Sequence, residues 1–76
     1  MEIRFDCECY ERTLVITVPT KYRHLREEIL QDLDRYYDEW ICFETEAAEV
    51  MCLEEYMVKC FSEEYDLCIK WDVEEW

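Results

Sequence analysis

Residues 13–41, TLVITVPTKYRHLREEILQDLDRYYDEWI, carry the change of period that decides the fold. Thr13-Leu14-Val15-Ile16-Thr17-Val18 is β-branched and reads as a strand. Pro19 ends it and Thr20 is placed to cap the next element. From Lys21 to Ile41 the apolar spacing becomes helical. At 100° per residue, Tyr22, Leu25, Ile29, Leu33, Tyr36 and Trp40 fall on one stripe, widened by Leu30 and Tyr37. Glu27, Gln31, Asp34 and Asp38 lie opposite.

Working outward toward the N-terminal side, residues 2–9 alternate. Ile3, Phe5, Cys7 and Cys9 share one face, and Glu2, Arg4, Asp6 and Glu8 the other, the period of a half-buried strand. The break at Tyr10-Glu11-Arg12 lacks an Asn-Gly pair, so a hairpin with a longer loop is expected. On the C-terminal side, Thr45 can cap a helix over residues 46–61 with Val50, Leu53, Met57, Cys60 and Phe61 inward, flanked by Ala47, Met51 and Val58. A rival reading makes Trp40-Ile41-Cys42-Phe43 a short strand. Residues 62–66 read as a loop, and Leu67, Ile69, Trp71 and Val73 then alternate with Cys68, Lys70, Asp72 and Glu74 as a third strand. The order β-β-α-α-β predicts an α+β domain over residues 1–76. In it, two antiparallel helices pack on one face of a three-stranded, mainly antiparallel sheet.

Composition narrows the function. The chain has 76 residues, of which 51% are hydrophobic, with no glycine and a formal net charge of −13. That apolar content is above what disordered acidic chains carry. No stretch approaches the ~20 apolar residues of a membrane span. The start, Met1-Glu2-Ile3-Arg4-Phe5-Asp6, is unlike a signal peptide, so a cytoplasmic location is expected. The six cysteines are then expected to be reduced. Direct binding to nucleic acid or anionic lipid is disfavoured by sign. One histidine (His24), one serine (Ser62) and the absence of Gly and Asn leave little for nucleophilic or phosphate-binding chemistry, and no enzyme activity or cofactor is expected.

The charge is uneven. Residues 1–35 hold 8 acids and 6 bases, net −2, whereas residues 36–76 hold 13 acids and 2 bases, net −11. A domain of this length is about 30 Å across, and 30 Å of duplex DNA presents roughly 18 phosphates. The chain offers 21 carboxylates. A solvated face that merely keeps the protein soluble is the plain alternative, but a net charge of about 2–8 suffices for that.

Cys7-x-Cys9 with Cys68, Cys42, Cys52, Cys60 and His24 can be imagined around zinc. Without a C-x-x-C spacing, burial of Cys7 and Cys9 as small hydrophobes is favoured, and no metal site is assigned. Cys68, on the polar side of its strand, is the thiol expected to react. Lys21, Arg23, His24 and Arg26 form a basic cluster opposed to the helix dipole. Arg23 with Glu27, and Arg35 with Asp38 or Glu39, have ion-pair spacing. Twelve aromatics exceed what so small a core encloses, and Tyr10, Tyr37, Tyr65 and Trp76 are expected to be the least buried, with a homodimer the natural way to hide the excess.

The acid series Asp32, Asp34, Asp38, Glu39, Glu44, Glu46, Glu49 and onward to Glu75, in a small chain without catalytic equipment, resembles the phage-encoded anti-CRISPR and anti-restriction inhibitors, several of which mimic DNA. The resemblance is one of type over the whole chain. It implies an inhibitor acting in a bacterial host's cytoplasm on a basic nucleic-acid-binding partner, of the CRISPR-effector or restriction-enzyme kind. The contact residues expected from charge and aromatic placement are Asp34, Asp38, Glu46, Glu49, Glu54, Glu55, Glu63 and Glu64 with Tyr37 and Tyr65. The alternative is an adaptor or antitoxin-like interaction module that binds through exposed aromatic and apolar surface.

Overall fold

The computed structural model describes residues 1–42 and 51–76. Strand β1 (Glu2–Cys7) runs through a 3-10 turn (Glu8–Tyr10) into β2 (Arg12–Thr17). A second 3-10 stretch (Thr20–Leu25) leads into helix α1 (Arg26–Cys42), and helix α2 (Leu53–Tyr65) precedes β3 (Lys70–Glu75). The strands form one antiparallel sheet in the order β1-β2-β3. The order β-β-α-α-β and the mixed α+β class are those the sequence predicts.

Register explains which side chains reach the interior. Ile3 pairs with Ile16, and Leu14 lies between Phe5 and Val73, so these share the helix-covered face. Ile3, Cys7, Leu14 and Ile16 are buried there with Ile29, Leu33, Tyr36 and Trp40 of α1 and Leu53, Met57 and Phe61 of α2. The opposite face carries Glu2, Arg4 and Asp6 of β1 beside Lys70, Asp72 and Glu74 of β3. Val15 is nonetheless buried on that side. An Arg4–Glu74 ion pair spans the middle strand there, consistent with long charged side chains lying over the sheet.

Several boundaries differ from the sequence reading. β1 stops at Cys7, and Cys9 is exposed in the turn rather than buried. Thr20 makes no cap: Pro19 is the N-terminal flanking residue, and Tyr22 N–H donates to its carbonyl at 3.0 Å. Residues 20–25 wind as 3-10 before the α-helix proper begins. The cations Lys21, Arg23 and Arg26 stand where the helix dipole favours acids. Trp40, Ile41 and Cys42 are helical, which removes the rival strand. Thr45 and Glu46 lie outside the described residues, but Met51 and Cys52 are not helical, so no continuous helix covers 46–61. α2 instead continues through the expected loop to Tyr65, because Glu64 and Tyr65 bond across to α1. β3 begins at Lys70 rather than Leu67.

With no glycine in the chain, two acids adopt the left-handed backbone region: Glu11 (φ 53°) in the hairpin and Asp66 (φ 50°) at the end of α2. Asp66 closes the helix, since its own N–H and that of Leu67 both donate to Ser62 C=O. This is a position glycine fills without steric cost. Asp66→Gly is therefore expected to raise stability by about 0.5–1 kcal/mol, read as a higher urea midpoint with unchanged slope. A lower midpoint would show that the Asp66 side chain holds the turn.

Candidate partner-binding surface

The two helices antiparallel to one another leave two outward faces and one shared seam. On the outward face of α1, Glu27, Gln31, Asp34 and Asp38 are all exposed. Asp34 and Asp38 stand one turn apart, about 6 Å along the helix axis. On α2, Glu55, Lys59 and Glu63 stand at four-residue intervals and are likewise exposed. Among the described residues none of Asp34, Asp38, Glu55 and Glu63 enters an ion pair.

The seam is built differently. Arg35 reaches Glu64 at 2.8 Å, Asp32 at 3.5 Å and Glu39 at 3.7 Å. Three tyrosines close the same seam by donating to carboxylates. Tyr36 bonds Glu64, Tyr65 bonds Asp32 at 2.5 Å, and Tyr56 bonds Glu39 at 3.2 Å. Hydrogen bonds from Arg35 and Tyr36 hold the Glu64 carboxyl below its usual range. Burial, followed by the Glu64 bond, pushes the Tyr36 hydroxyl upward. Burial, with Cys60 and Glu39 nearby, raises Tyr56 to about 12. Three acids around one arginine leave the seam anionic as well as ordered.

The ten residues expected at the contact therefore divide. Asp34, Asp38, Glu55 and Glu63 stand free on outward faces. Glu64 is exposed but engaged by Arg35 and Tyr36. Tyr65 is half-buried, stacked on Phe61 with ring centroids 4.5 Å apart. Glu46 and Glu49 lie outside the described residues. Two assignments are corrected. Tyr37 is 8% exposed. Its hydroxyl accepts the Cys9 N–H at 3.1 Å, and its ring meets Phe5 edge-on. Glu54 is 3% exposed and bound to Arg12 at 2.5 Å. Neither can meet a partner without opening the fold.

Arg12 carried the signal that locates Glu54. It stands opposite Cys7 and Glu75, on the same side of β2 as Leu14 and Ile16, so a cation points toward the core and needs an acid there. Burial pushes the Glu54 carboxyl up, but the Arg12 hydrogen bond, with help from Cys52 and the backbone, outweighs it and holds the group below its ordinary value.

Of the other features, Arg35–Glu39 is formed, whereas no Arg23–Glu27 or Arg35–Asp38 pair is present. Lys21, Arg23, His24 and Arg26 are exposed at the start of the helical layer. Cys68 is exposed, as are Cys9, Cys42 and Cys52. Burial, then Glu54, raises the Cys7 thiol to about 11, marking it as inert. Among the described residues no group of three or more His, Cys, Asp or Glu is arranged to hold a metal ion. No described helix is long and apolar enough to cross a membrane. Tyr10 is only half-buried, its hydroxyl accepting the Trp40 indole N–H at 3.2 Å. Trp71 and Trp76 are 39% and 64% exposed. Trp76 is nevertheless fixed, its indole N–H on Thr13 Oγ1 at 2.9 Å and its backbone N–H on Glu11 C=O at 3.0 Å.

Comparison with protein-family models, curated proteins and solved structures finds no match to this chain.

Proposed function

We propose that this protein is a small acidic inhibitor that binds the basic nucleic-acid-binding surface of a partner protein and blocks it by mimicking nucleic acid, in the manner of anti-CRISPR or anti-restriction proteins. The observation that carries the reading is the outward acid display of the helical layer, Asp34 and Asp38 on α1 with Glu55 and Glu63 on α2, outside every ion pair among the described residues. Arg35 is spent on the seam instead, and Lys59, between Glu55 and Glu63 on the outward face of α2, pairs with neither among the described residues. The molecule is 36 Å long, a length over which duplex DNA carries about 21 phosphates. The chain has 21 carboxylates against 8 cations, a net charge of −13, so a groove shaped for nucleic acid meets more than half of that charge over the same length, and association is steered at long range.

The test is capture from a bacterial lysate on immobilised protein, elution by rising salt, and identification by mass. The expected catch is a nucleic-acid-binding protein released by moderate salt and by added duplex DNA. Reversing Asp34, Asp38, Glu55 and Glu63 together to lysine should weaken its binding by more than about a hundredfold, as loss of several complementary charges does. Binding that ignores both salt and DNA, but fails on alanine at Tyr65 or Trp76, would favour the adaptor reading instead.

A further inference from the structure

The sheet ends on one side in β3, five of whose six residues are exposed. The phase of its hydrogen bonding is set by Trp76 N–H donating to Glu11 C=O. With strict alternation, the N–H groups of Lys70, Asp72 and Glu74 point to β2, and those of Trp71, Val73 and Glu75 point away from the sheet. Among the described residues no strand pairs with this outer edge, and an edge of this kind is a template for another strand unless something guards it. Here the guard is chemical: the Asp72 carboxylate accepts the outward Val73 N–H at 2.8 Å.

That guard selects by charge. β3 carries Lys70 against Asp72, Glu74 and Glu75, a net of −2. In two-fold antiparallel pairing with a second copy, registers centred on Val73 or Glu74 set Asp72 opposite Glu74 or Glu74 opposite Glu74 and are opposed by charge. One centred on Asp72 adds two Lys70–Glu74 pairs to an Asp72–Asp72 contact, and one centred on Trp71 sets Lys70 opposite Asp72. Like charges directly opposite are destabilising. A cationic side chain in the same place does the reverse. It pairs with Asp72 and draws that carboxylate off the Val73 N–H, which then enters the ladder. Beside the strand lies a shallow depression of about 230 Å³ lined by Glu2, Val15, Thr17, Lys70, Asp72 and Glu74 of the open face together with Trp71. It is smaller than the usual ligand pocket and suited to a side chain. On the other face, Trp71 is 39% exposed and Val73 is half-buried, leaving apolar surface beside the edge.

We infer that the free edge of β3 is a docking strand for an extended segment of the partner that alternates basic and apolar residues. Its basic side chains lie on the open face over Asp72 and Glu74, and its apolar ones lie against Trp71 and Val73. Backbone hydrogen bonds supply affinity and the alternating side chains supply register, as in other strand additions. The inference rests on the reading that the partner is basic, and adds to it a second contact, on the sheet rather than on the helices.

The experiment is amide NMR of the full chain titrated with a capped peptide alternating valine and arginine. A peptide of the same composition with its arginines in one block is the control. The amides of Trp71, Val73 and Glu75 should shift most and exchange more slowly with the alternating peptide only. Glu75→Pro should abolish this, since it deletes an outward N–H and leaves the β2 ladder intact, which an unchanged melting temperature verifies. Asp72→Asn with Glu74→Gln should weaken binding about tenfold, the sum of two cross-strand charge pairs. Shifts confined to Asp34, Asp38, Glu55 and Glu63 would overturn the inference while leaving the basic-partner reading standing. Absence of any shift would overturn it too, and the lysate capture would still judge that reading separately. A dimer in sedimentation that Glu75→Pro dissociates would overturn it by making a second copy the occupant.

Discussion

Replacing Arg12 by alanine should destabilise the protein by about 3–5 kcal/mol at neutral pH, because it strands the Glu54 carboxylate in the interior. The Glu54 side chain is 4% exposed, and Arg12 is its ion-pair partner, at 2.5 Å. A chain of this length is stable by only about 4–11 kcal/mol in total, so the loss is a large share. In the native protein the folded Glu54 carboxyl titrates below its ordinary value. The pair's contribution is therefore present above the ordinary carboxylate range and fades as pH falls through the folded value. In Arg12→Ala burial remains while the strongest compensating donor is gone, so the carboxyl moves above its unfolded value. The variant's deficit should then be greatest at neutral pH and shrink on acidification, as protonation relieves the buried charge. Urea unfolding at neutral and acid pH reads both effects. Replacing both partners with methionine should recover most of the loss, since an apolar pair of similar volume leaves no charge behind. A deficit under about 1 kcal/mol for Arg12→Ala, the range of an exposed ion pair, would mean that water reaches Glu54.

Phe61→Ala should cost a similar amount, about 3–5 kcal/mol. Phe61 is fully buried in the cluster that joins both helices to the sheet. Its ring also stacks with Tyr65, interplanar angle 22°, and Tyr65 in turn bonds Asp32 of α1. Truncation thus opens a cavity and removes the platform that seats one of the three tyrosine–carboxylate bonds. The expected result is a much lower urea midpoint, with loss of chemical-shift dispersion in the aromatic region. Phe61→Leu should retain most of the stability. An alanine variant as stable as the parent would show that the helices do not close the core as described.

The class of fold was legible because it depends on period. Alternation in β1, the β-branched run of β2, the switch at Pro19, and the stripe from Ile29 to Trp40 each select one local geometry. Burial follows the pattern along the α1 stripe, whereas β2 is buried on both faces from Thr13 to Ile16. Boundaries were legible only where a local device sets them. Pro19 ends the strand region as expected. The end of α2 at Asp66 was not visible, since what extends the helix is Glu64 and Tyr65 reaching residues about thirty positions away on α1.

Sites were legible as sets of residue types and not as places. Asp34, Asp38, Glu55 and Glu63 stand outward because helical spacing puts them opposite buried stripes, and spacing is a property of the chain. Glu54 looks equally available in one dimension, whereas Tyr37 already lies on the edge of the inner stripe. Their fate turned on a cation of β2 and a backbone N–H beyond the end of β1, partners that no local rule pairs with them. Charge total, strand and helix periods, and the side of each element that faces inward are short-range consequences of side-chain chemistry, so the chain alone prescribed them. Which acids are neutralised, which tyrosines become donors, and which strands stand at the edges of the sheet depend on contacts between distant segments. Those come into being only when packing brings the segments within hydrogen-bond reach.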